Sequence, residues 1–257
     1  MKKYLITAAV FLTGTALANA ATVLTTTFGN AAQSNATRVT LTNTWANSLD
    51  EEVLALLDPV TASVSSFSAL NSSGGAISTP YLTSGTAGGL ASFFSPNANV
   101  GNGETWTTAF TYSGGISGIT SLDSVTLNVG LYTSGGAWQS ATVTRLFDFT
   151  LTLKNGANTL GTFSRSNASI TGTGNNTNET VMLTSEAPIL LSSLQSNDSL
   201  VAELAVSRSQ GQTLGCYIGL NSIAYSGSVI PEPSTFGLLA GLGALALAGT
   251  RRRRRAH

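Results

Sequence analysis

Two stretches of this sequence alternate strictly between apolar and polar residues, and that period constrains the fold more than any other feature. From 125 to 131 every odd position is Val or Leu, and from 147 to 153 every odd position is Phe or Leu. Successive side chains of a strand point to opposite faces, so a period of two predicts strands with one buried face. The sequence therefore favours a β-sheet protein with an apolar core.

A turn sequence follows the second stretch directly. Asn155-Gly156 supplies the positive φ angles that tight hairpin turns require, and we predict a hairpin of residues 144–153 with 158–163. Many short strands joined by clusters of Gly, Ser, Asn and Thr predict an all-β fold, a β-sandwich of the jelly-roll type. The other strands are expected at residues 23–28, 37–42, 105–112, 180–183, 200–207 and 216–225.

One segment departs from the strand pattern. Ser48 and Glu51 form a capping box, the acidic residues at 50–52 favour a helix N-terminus, and Pro59 ends the element. We predict one short helix over residues 49–57, lying across one end of the sandwich.

The N-terminus has the features of a secretory signal peptide. Two lysines precede an apolar run from Leu5 to Leu17, and Ala18-Asn19-Ala20 then has the A-x-A form of a cleavage site. Residues 1–20 are therefore predicted to be removed after Ala20 during export by the Sec machinery. The exported domain is expected to cover residues 21–229.

The C-terminal tail, residues 230–257, combines three features in order: the residues IPEP, an uncharged segment from Ser234 to Thr250, and five consecutive arginines. At ~1.5 Å per residue the uncharged segment covers about 25 Å, slightly less than a ~30 Å hydrocarbon core. We therefore predict a short transmembrane helix at residues 234–250. Clustered arginines next to a span hold that side in the cytoplasm.

The proline pair before this segment predicts a different local shape. A proline lacks an N–H and restricts the residue before it to extended geometry, so Pro231-Glu232-Pro233 is expected to be an extended, exposed strip at the outer membrane face. This trio, the short apolar helix and the terminal arginines together resemble the PEP-CTERM sorting signal of Gram-negative bacteria. The resemblance covers only the tail, and its basic residues are Arg251, Arg252, Arg253, Arg254 and Arg255.

That resemblance implies recognition by an exosortase, a membrane-embedded processing enzyme that removes such a tail. It implies delivery of the exported domain to the outer surface or to extracellular polymer, after a transient stage in the inner membrane. The motif acts as a substrate, so it assigns no catalytic residue to this chain.

Charge and residue counts exclude several function classes. Seven of the twelve basic residues lie in the two terminal segments, so the exported domain has five basic and eleven acidic residues, a net charge of about −6. Nucleic-acid binding is not expected, because phosphate contacts need clustered Lys and Arg. The sequence has one cysteine, Cys216, and one histidine, His257. Disulfide formation within the chain and His-dependent catalysis or zinc binding in the exported domain are therefore excluded.

Candidate binding residues in the exported domain are few. Trp138 follows a polar SGGA sequence and is the aromatic residue that we expect to contact carbohydrate, if the domain binds any. No cofactor is expected. A structural calcium site remains an alternative, because Asp123, Asp148 and Asp198 carry the oxygen ligands that calcium prefers.

The sequence therefore predicts a non-catalytic, exported cell-surface or extracellular-matrix protein. The alternative is a carbohydrate-binding β-sandwich module. A glycoside-active enzyme is a third reading, and it would require two carboxylates about 5 to 10 Å apart in a cleft.

Overall fold

The computed structural model describes residues 21–28, 41–46, 49, 51, 54, 57–70, 73, 75–76, 80–84, 92–96, 105–132, 139–140, 142–172, 179–209 and 217–229. Twelve strands lie in this part of the chain, and a 3-10 turn at Gly115–Gly118 joins the sixth to the seventh. The strands are β1 Ala21–Phe28, β2 Leu41–Trp45, β3 Val60–Leu70, β4 Pro80–Ser84, β5 Ser92–Pro96, β6 Thr105–Gly114, β7 Ile119–Tyr132, β8 Thr144–Asn155, β9 Asn158–Thr171, β10 Glu179–Leu190, β11 Leu200–Arg208 and β12 Tyr217–Val229.

The strands form one antiparallel sheet that folds back on itself. Its order is β2-β1-β12-β7-β10-β9-β8-β11-β6-β3, with the β4–β5 hairpin attached to β12 through β5. We call β2-β1-β12-β7-β10 the β1 half and β9-β8-β11-β6-β3 the β6 half. The two halves face each other across the core, and the Asn43 side chain bonds to the Val60 carbonyl oxygen between β2 and β3. The result is a nearly closed β-sandwich, which confirms the predicted all-β class.

The core is built by the predicted alternation. Strand β11 alternates without interruption between buried and half-buried residues from Leu200 to Arg208. Aromatic side chains join the two halves, with ring centroids of Phe28 and Phe110 5.6 Å apart and those of Tyr112 and Tyr225 also 5.6 Å apart. Fully burying such a side chain contributes about 1.5–3 kcal/mol, so the core stabilises the sandwich without a disulfide bond.

The hairpin of β8 and β9 is confirmed, with a correction to its turn. Asn155 pairs with Asn158 in the ladder, so the two-residue loop is Gly156-Ala157. Gly156 has a φ of 58°, and no positive φ is found at Asn155 or Ala157. A positive φ at the first loop residue alone is the pattern of a type II′ turn, whereas the predicted Asn-Gly turn needs it at both central residues.

Other predicted elements agree in position more than in length. Strand β10 runs to Leu190, well past the predicted end at 183, and β12 runs to Val229. Residues 37–40 of the predicted second strand and Cys216 lie outside the described residues. In the predicted helix, Glu51 and Leu54 are helical while Leu49 and Leu57 are bends, and the other positions are outside the described part.

The start of the first strand and the end of the last strand lie on the same side of the sandwich. Ala21 at the start of β1 pairs with Gly227 near the end of β12, because the two strands are antiparallel neighbours. The Gly156 turn and the 3-10 turn lie at this same end, which we call the terminal end. Strands β7, β9 and β11 finish at the opposite end, which we call the distal end.

Candidate functional site

The predicted sorting and processing residues lie outside the described part of the chain. These are Ala18, Ala20, Pro231, Glu232, Pro233, Arg251, Arg252, Arg253, Arg254 and Arg255. Among the described residues no helix is long and apolar enough to cross a membrane, and the segment 234–250 is not among them.

Trp138 also falls outside the described residues. The residue that follows it, Gln139, donates its backbone N–H to the Leu131 carbonyl oxygen at 2.9 Å. The other two tryptophans pack in or against the core. Trp106 is buried, and half-buried Trp45 donates its indole N–H to the Asp58 carbonyl oxygen at 3.4 Å.

The three predicted calcium candidates are not brought together. Asp148 and Asp198 lie in separate hydrogen-bonded sites, and the described residues contain no group of three or more His, Cys, Asp or Glu suited to a metal ion. Asp198 Oδ2 accepts hydrogen bonds from the Gln195 backbone N–H and the Asn155 amide, both at 3.0 Å. Asp198 therefore orders the segment between β10 and β11.

A groove opens on the outer surface where β9 and β10 separate. In the described strands these two share a single ladder pair, Thr184 with Ser164. Towards the distal end, β9 stays paired with β8 as far as Thr171. In the same region, β10 stays paired with β7 as far as Glu179. The edges that face each other across the groove are therefore not joined by ladder hydrogen bonds over residues 165–171 and 179–183.

A β-bulge shapes the β9 side of this groove. Between the pairs Phe147–Ala168 and Phe149–Arg165, β8 has one residue, Asp148, and β9 has two. The second of these, Asn167, has a φ of 54°. Asp148 Oδ1 holds the bulge by accepting hydrogen bonds at 2.7 Å from the Asn167 backbone N–H and from the Ser209 hydroxyl. Bulges bend a strand and redirect side chains, and this one follows directly after Arg165.

The groove has a volume of about 320 Å³, and one of the residues that line it, Arg165, is positively charged. It is lined by Arg165, Ala168, Ser169, Thr180, Val181, Met182 and Thr184. Met182 is 57% exposed, so with Ala168 and Val181 it forms the apolar part of a wall whose other residues are polar.

Arg165 differs from the other basic residues in the range 21–229. Arg208 is only 4% exposed, Lys154 pairs with Glu203 at 2.9 Å, and Arg145 donates to the Thr144 carbonyl oxygen at 2.8 Å, while Arg38 lies outside the described residues. Arg165 is exposed, and in the described part of the chain its side chain makes no hydrogen bond or ion pair. Its guanidinium group is therefore available to a ligand.

The groove continues into a face without charges. Two rows of outward-facing residues cross all five strands of the β1 half, and we call them the hydroxyl face. They are Thr180, Asn128, Ser222, Thr27 and Thr42 in one row, and Met182, Thr126, Ala224, Thr25 and Thr44 in the other. All ten are exposed or half-buried. Seven carry hydroxyl groups, so this face can donate and accept many hydrogen bonds but offers no ion pairs.

A buried chain of polar groups lies on the other side of the β1 half. Thr26 Oγ1 is 2.7 Å from Asn43 Oδ1 and 3.3 Å from the Tyr112 hydroxyl, and the Tyr225 hydroxyl donates to Tyr112 at 2.9 Å. Threonine has one hydroxyl hydrogen and Asn43 Oδ1 can only accept, so Thr26 donates to Asn43 and Tyr112 donates to Thr26. The Asn43 amide then donates to Val60 at 3.1 Å.

Burial keeps both phenols of this chain neutral. It raises the pKa of Tyr112 to about 12, although the hydrogen bond from Tyr225 acts in the opposite direction. Burial also raises the pKa of Tyr225 well above its usual value, and the negative charge of an ionised Tyr112 adds to the effect. Neutral, enclosed phenols that satisfy each other's hydrogen bonds join the two halves, and they do not form a reactive site.

Neither the groove nor the exposed position of Arg165 could be predicted from the sequence. The available signal is the sequence Ser164-Arg165-Ser166-Asn167, which interrupts the apolar alternation after Phe163 and contains Asn, a residue that tolerates positive φ. That signal indicates a bulge, but it does not show that β10 separates from β9 at the same place.

Residues 229–255 match the PEP-CTERM protein-sorting motif. This confirms the resemblance of the tail, and the match begins at the last residue of β12. The motif identifies the chain as carrying a sorting signal of this kind. No curated protein matches the sequence.

Solved structures give only weak similarity. A family 11 carbohydrate-binding module from Clostridium thermocellum, in complex with a β-1,3-1,4-mixed-linked tetrasaccharide, has 9% identity and a TM-score of 0.31 over 68% of this chain and 92% of the module. The solution structure of CtCBM11 has 8% identity and a TM-score of 0.34 over 81% and 98% of the two chains. The xylan-binding module CBM15 has 11% identity and a TM-score of 0.31 over 68% and 99%. Similarity at this level assigns no ligand to this chain.

Proposed function

We propose that this chain is a non-catalytic, exported protein of the cell surface or extracellular matrix, tethered to the inner membrane and then processed through its C-terminal tail. The match of residues 229–255 to the PEP-CTERM protein-sorting motif carries this proposal. The partners in this route are the Sec machinery, the inner membrane and an exosortase. Residues 1–20 act as the signal peptide, and the segment 234–250 holds the chain in the membrane with its arginines in the cytoplasm.

The arrangement of the strands supports this route. Val229, the last residue of β12, pairs with Ile119, and Pro231 follows two positions later. The folded sandwich therefore reaches almost to the sorting motif, and its terminal end faces the membrane while the chain is tethered. The distal end then points away from the membrane.

Two variants test the route in the native host. Glu232→Ala and replacement of the five arginines by Gln should each leave the protein in the inner-membrane fraction, because the tail is no longer recognised or processed. Glu186→Ala, an exposed acid in the sandwich, is the matched control and should reach the surface normally. Normal surface delivery of both tail variants would refute the exosortase route.

A second candidate function is glycan binding by the same sandwich. The observation that favours it is the many hydroxyl-bearing side chains of the groove and the hydroxyl face, which can bond to the hydroxyl groups of an extended polysaccharide. Trp138 is the residue that we propose to stack on a sugar ring. A glycan array probed with the full chain in mild detergent tests this function, and no binding to any glycan would rule it out.

A further inference from the structure

We propose that the groove between β9 and β10 binds an acidic polysaccharide, with Arg165 pairing to the carboxylate of a uronic acid. This inference rests on the proposed glycan binding and adds the class of glycan and the residue that selects it.

The first argument is the chemistry of the groove. A guanidinium group presents paired N–H donors in a planar fork, and this geometry matches a carboxylate in a two-bond arrangement. The Ser169, Thr180 and Thr184 side chains line the same groove and can bond to sugar hydroxyls. Met182 adds an apolar contact for the C–H face of a sugar ring.

The second argument is the local charge. The exported domain has a net charge of about −6, yet none of the residues lining the groove is acidic. Along the outer face of the neighbouring strands, Thr180 pairs with Asn128, Met182 with Thr126 and Thr184 with Ser124. These six residues carry no charge, while the acids of β10 itself, Glu179 and Glu186, lie beyond the residues that line the groove. The positive charge of Arg165 therefore favours an anion over a cation or a purely neutral chain.

The third argument is the shape of the ligand that fits. The groove opens along the unpaired edges of two strands and is continuous with the hydroxyl face through Thr180 and Met182. Backbone groups at such edges remain free to bond to a ligand. An extended chain with a carboxylate in the groove and further hydroxylated sugars across β7 and β12 would use both surfaces.

The bulge gives this arrangement its fixed geometry. Asp148 accepts the Asn167 N–H and the Ser209 hydroxyl, which holds the backbone directly after Arg165 in place. A preset backbone lowers the entropy lost when the side chain binds its ligand. Asp148 acts as a positioning residue here.

The experiment measures binding of the full chain, in mild detergent, to polygalacturonate and to alginate, two uronic-acid polymers. We expect binding to at least one of them, with affinity that falls as salt is raised. Arg165→Gln should weaken that binding about tenfold or more, because a charge-assisted hydrogen-bond pair is lost. Arg165→Lys should recover part of the loss, since it restores the charge without the fork.

Three controls make the outcome specific. Lys154→Gln removes one positive charge on the β6 half and should leave the affinity unchanged. Methyl-esterified polygalacturonate should bind the unaltered chain as weakly as polygalacturonate binds Arg165→Gln. Polyglutamate, an acidic polymer without sugars, should bind at least tenfold more weakly than the uronic-acid polymer.

The possible failures are distinguishable. If the chain binds neutral and acidic polysaccharides equally and Arg165→Gln has no effect, glycan binding stands and the role of Arg165 is refuted. If polyglutamate binds as well as the uronic-acid polymers, the groove recognises charge alone and the polysaccharide is the wrong ligand. If no polysaccharide binds, the glycan function and this inference both fail, while the sorting route is unaffected.

Discussion

The two buried tyrosines predict a loss of stability in alkaline solution. In an unfolded chain a tyrosine ionises near pH 10, whereas burial raises the pKa of Tyr112 in the folded sandwich to about 12. Between these values the unfolded state has lost a proton that the folded state keeps. The free energy of unfolding is unaffected by this group below about pH 10 and falls as pH rises above it.

The size of the effect follows from the pKa difference. One pKa unit corresponds to about 1.4 kcal/mol, so ionisation of Tyr112 in the unfolded chain lowers the free energy of unfolding by about 2 kcal/mol between pH 10 and 12. The pKa of Tyr225 is raised as well, so it adds to the slope in the same direction. A loss of this size is a large part of the stability of a typical domain.

The assay is urea unfolding of residues 21–230 at pH 7, 10, 11 and 12, followed by tryptophan fluorescence. The matched variant is Tyr112→Phe/Tyr225→Phe, which keeps both rings and removes both ionisable groups. It should lose about 1–2 kcal/mol at pH 7, because the hydrogen bonds of Tyr112 with Thr26 and with Tyr225 are lost, but should show a much shallower decline above pH 10. Equal alkaline slopes in both proteins would refute the reasoning.

Three further substitutions test the packing, the bulge and the surface ion pair by the same unfolding assay at pH 7. Gly227→Ala should destabilise the fold by about 3 kcal/mol, because the added Cβ would lie 2.0 Å from the Ser121 carbonyl oxygen. The control Ser228→Ala should change the stability by less than about 0.5 kcal/mol, and similar values for the two variants would contradict this packing. Asp148→Ala should destabilise by about 2 kcal/mol, because two 2.7 Å hydrogen bonds to the bulge and to Ser209 are lost, and an unchanged midpoint would show that the bulge does not need it. Lys154→Met should cost less than about 1 kcal/mol, since its ion pair with Glu203 is about one-third exposed, and a larger loss would mean that the pair does more than a surface contact.

The regular strands were predictable because their side chains alternate in phase with the pleat. Strand β3 was missed for the opposite reason. Its apolar residues stand at 60, 62 and 64 and then at 67 and 69, so the period shifts by one position. The ladder with β6 shifts register at that point, between Val64 and Ser66, and the Ser65 hydroxyl bonds to the Ala109 carbonyl oxygen at 3.2 Å. A bulge hides a strand from any search for strict alternation.

The groove was hidden for a related reason. Whether two neighbouring strands pair or separate depends on their register and twist, which involve residues far apart in the sequence. Nothing near Arg165 in the sequence shows that β10, which starts at Glu179, joins β9 only at Thr184. The sorting tail, by contrast, could be predicted from the sequence, because all of its features lie in one continuous segment.

The most direct test of the account is the intact mass of the protein recovered from the surface or matrix of the native host. The account predicts a chain that begins at Ala21 and lacks the membrane segment and the arginines at 251–255. A surface protein that retains the arginine cluster would contradict it, because the tail would then be an anchor that is never removed.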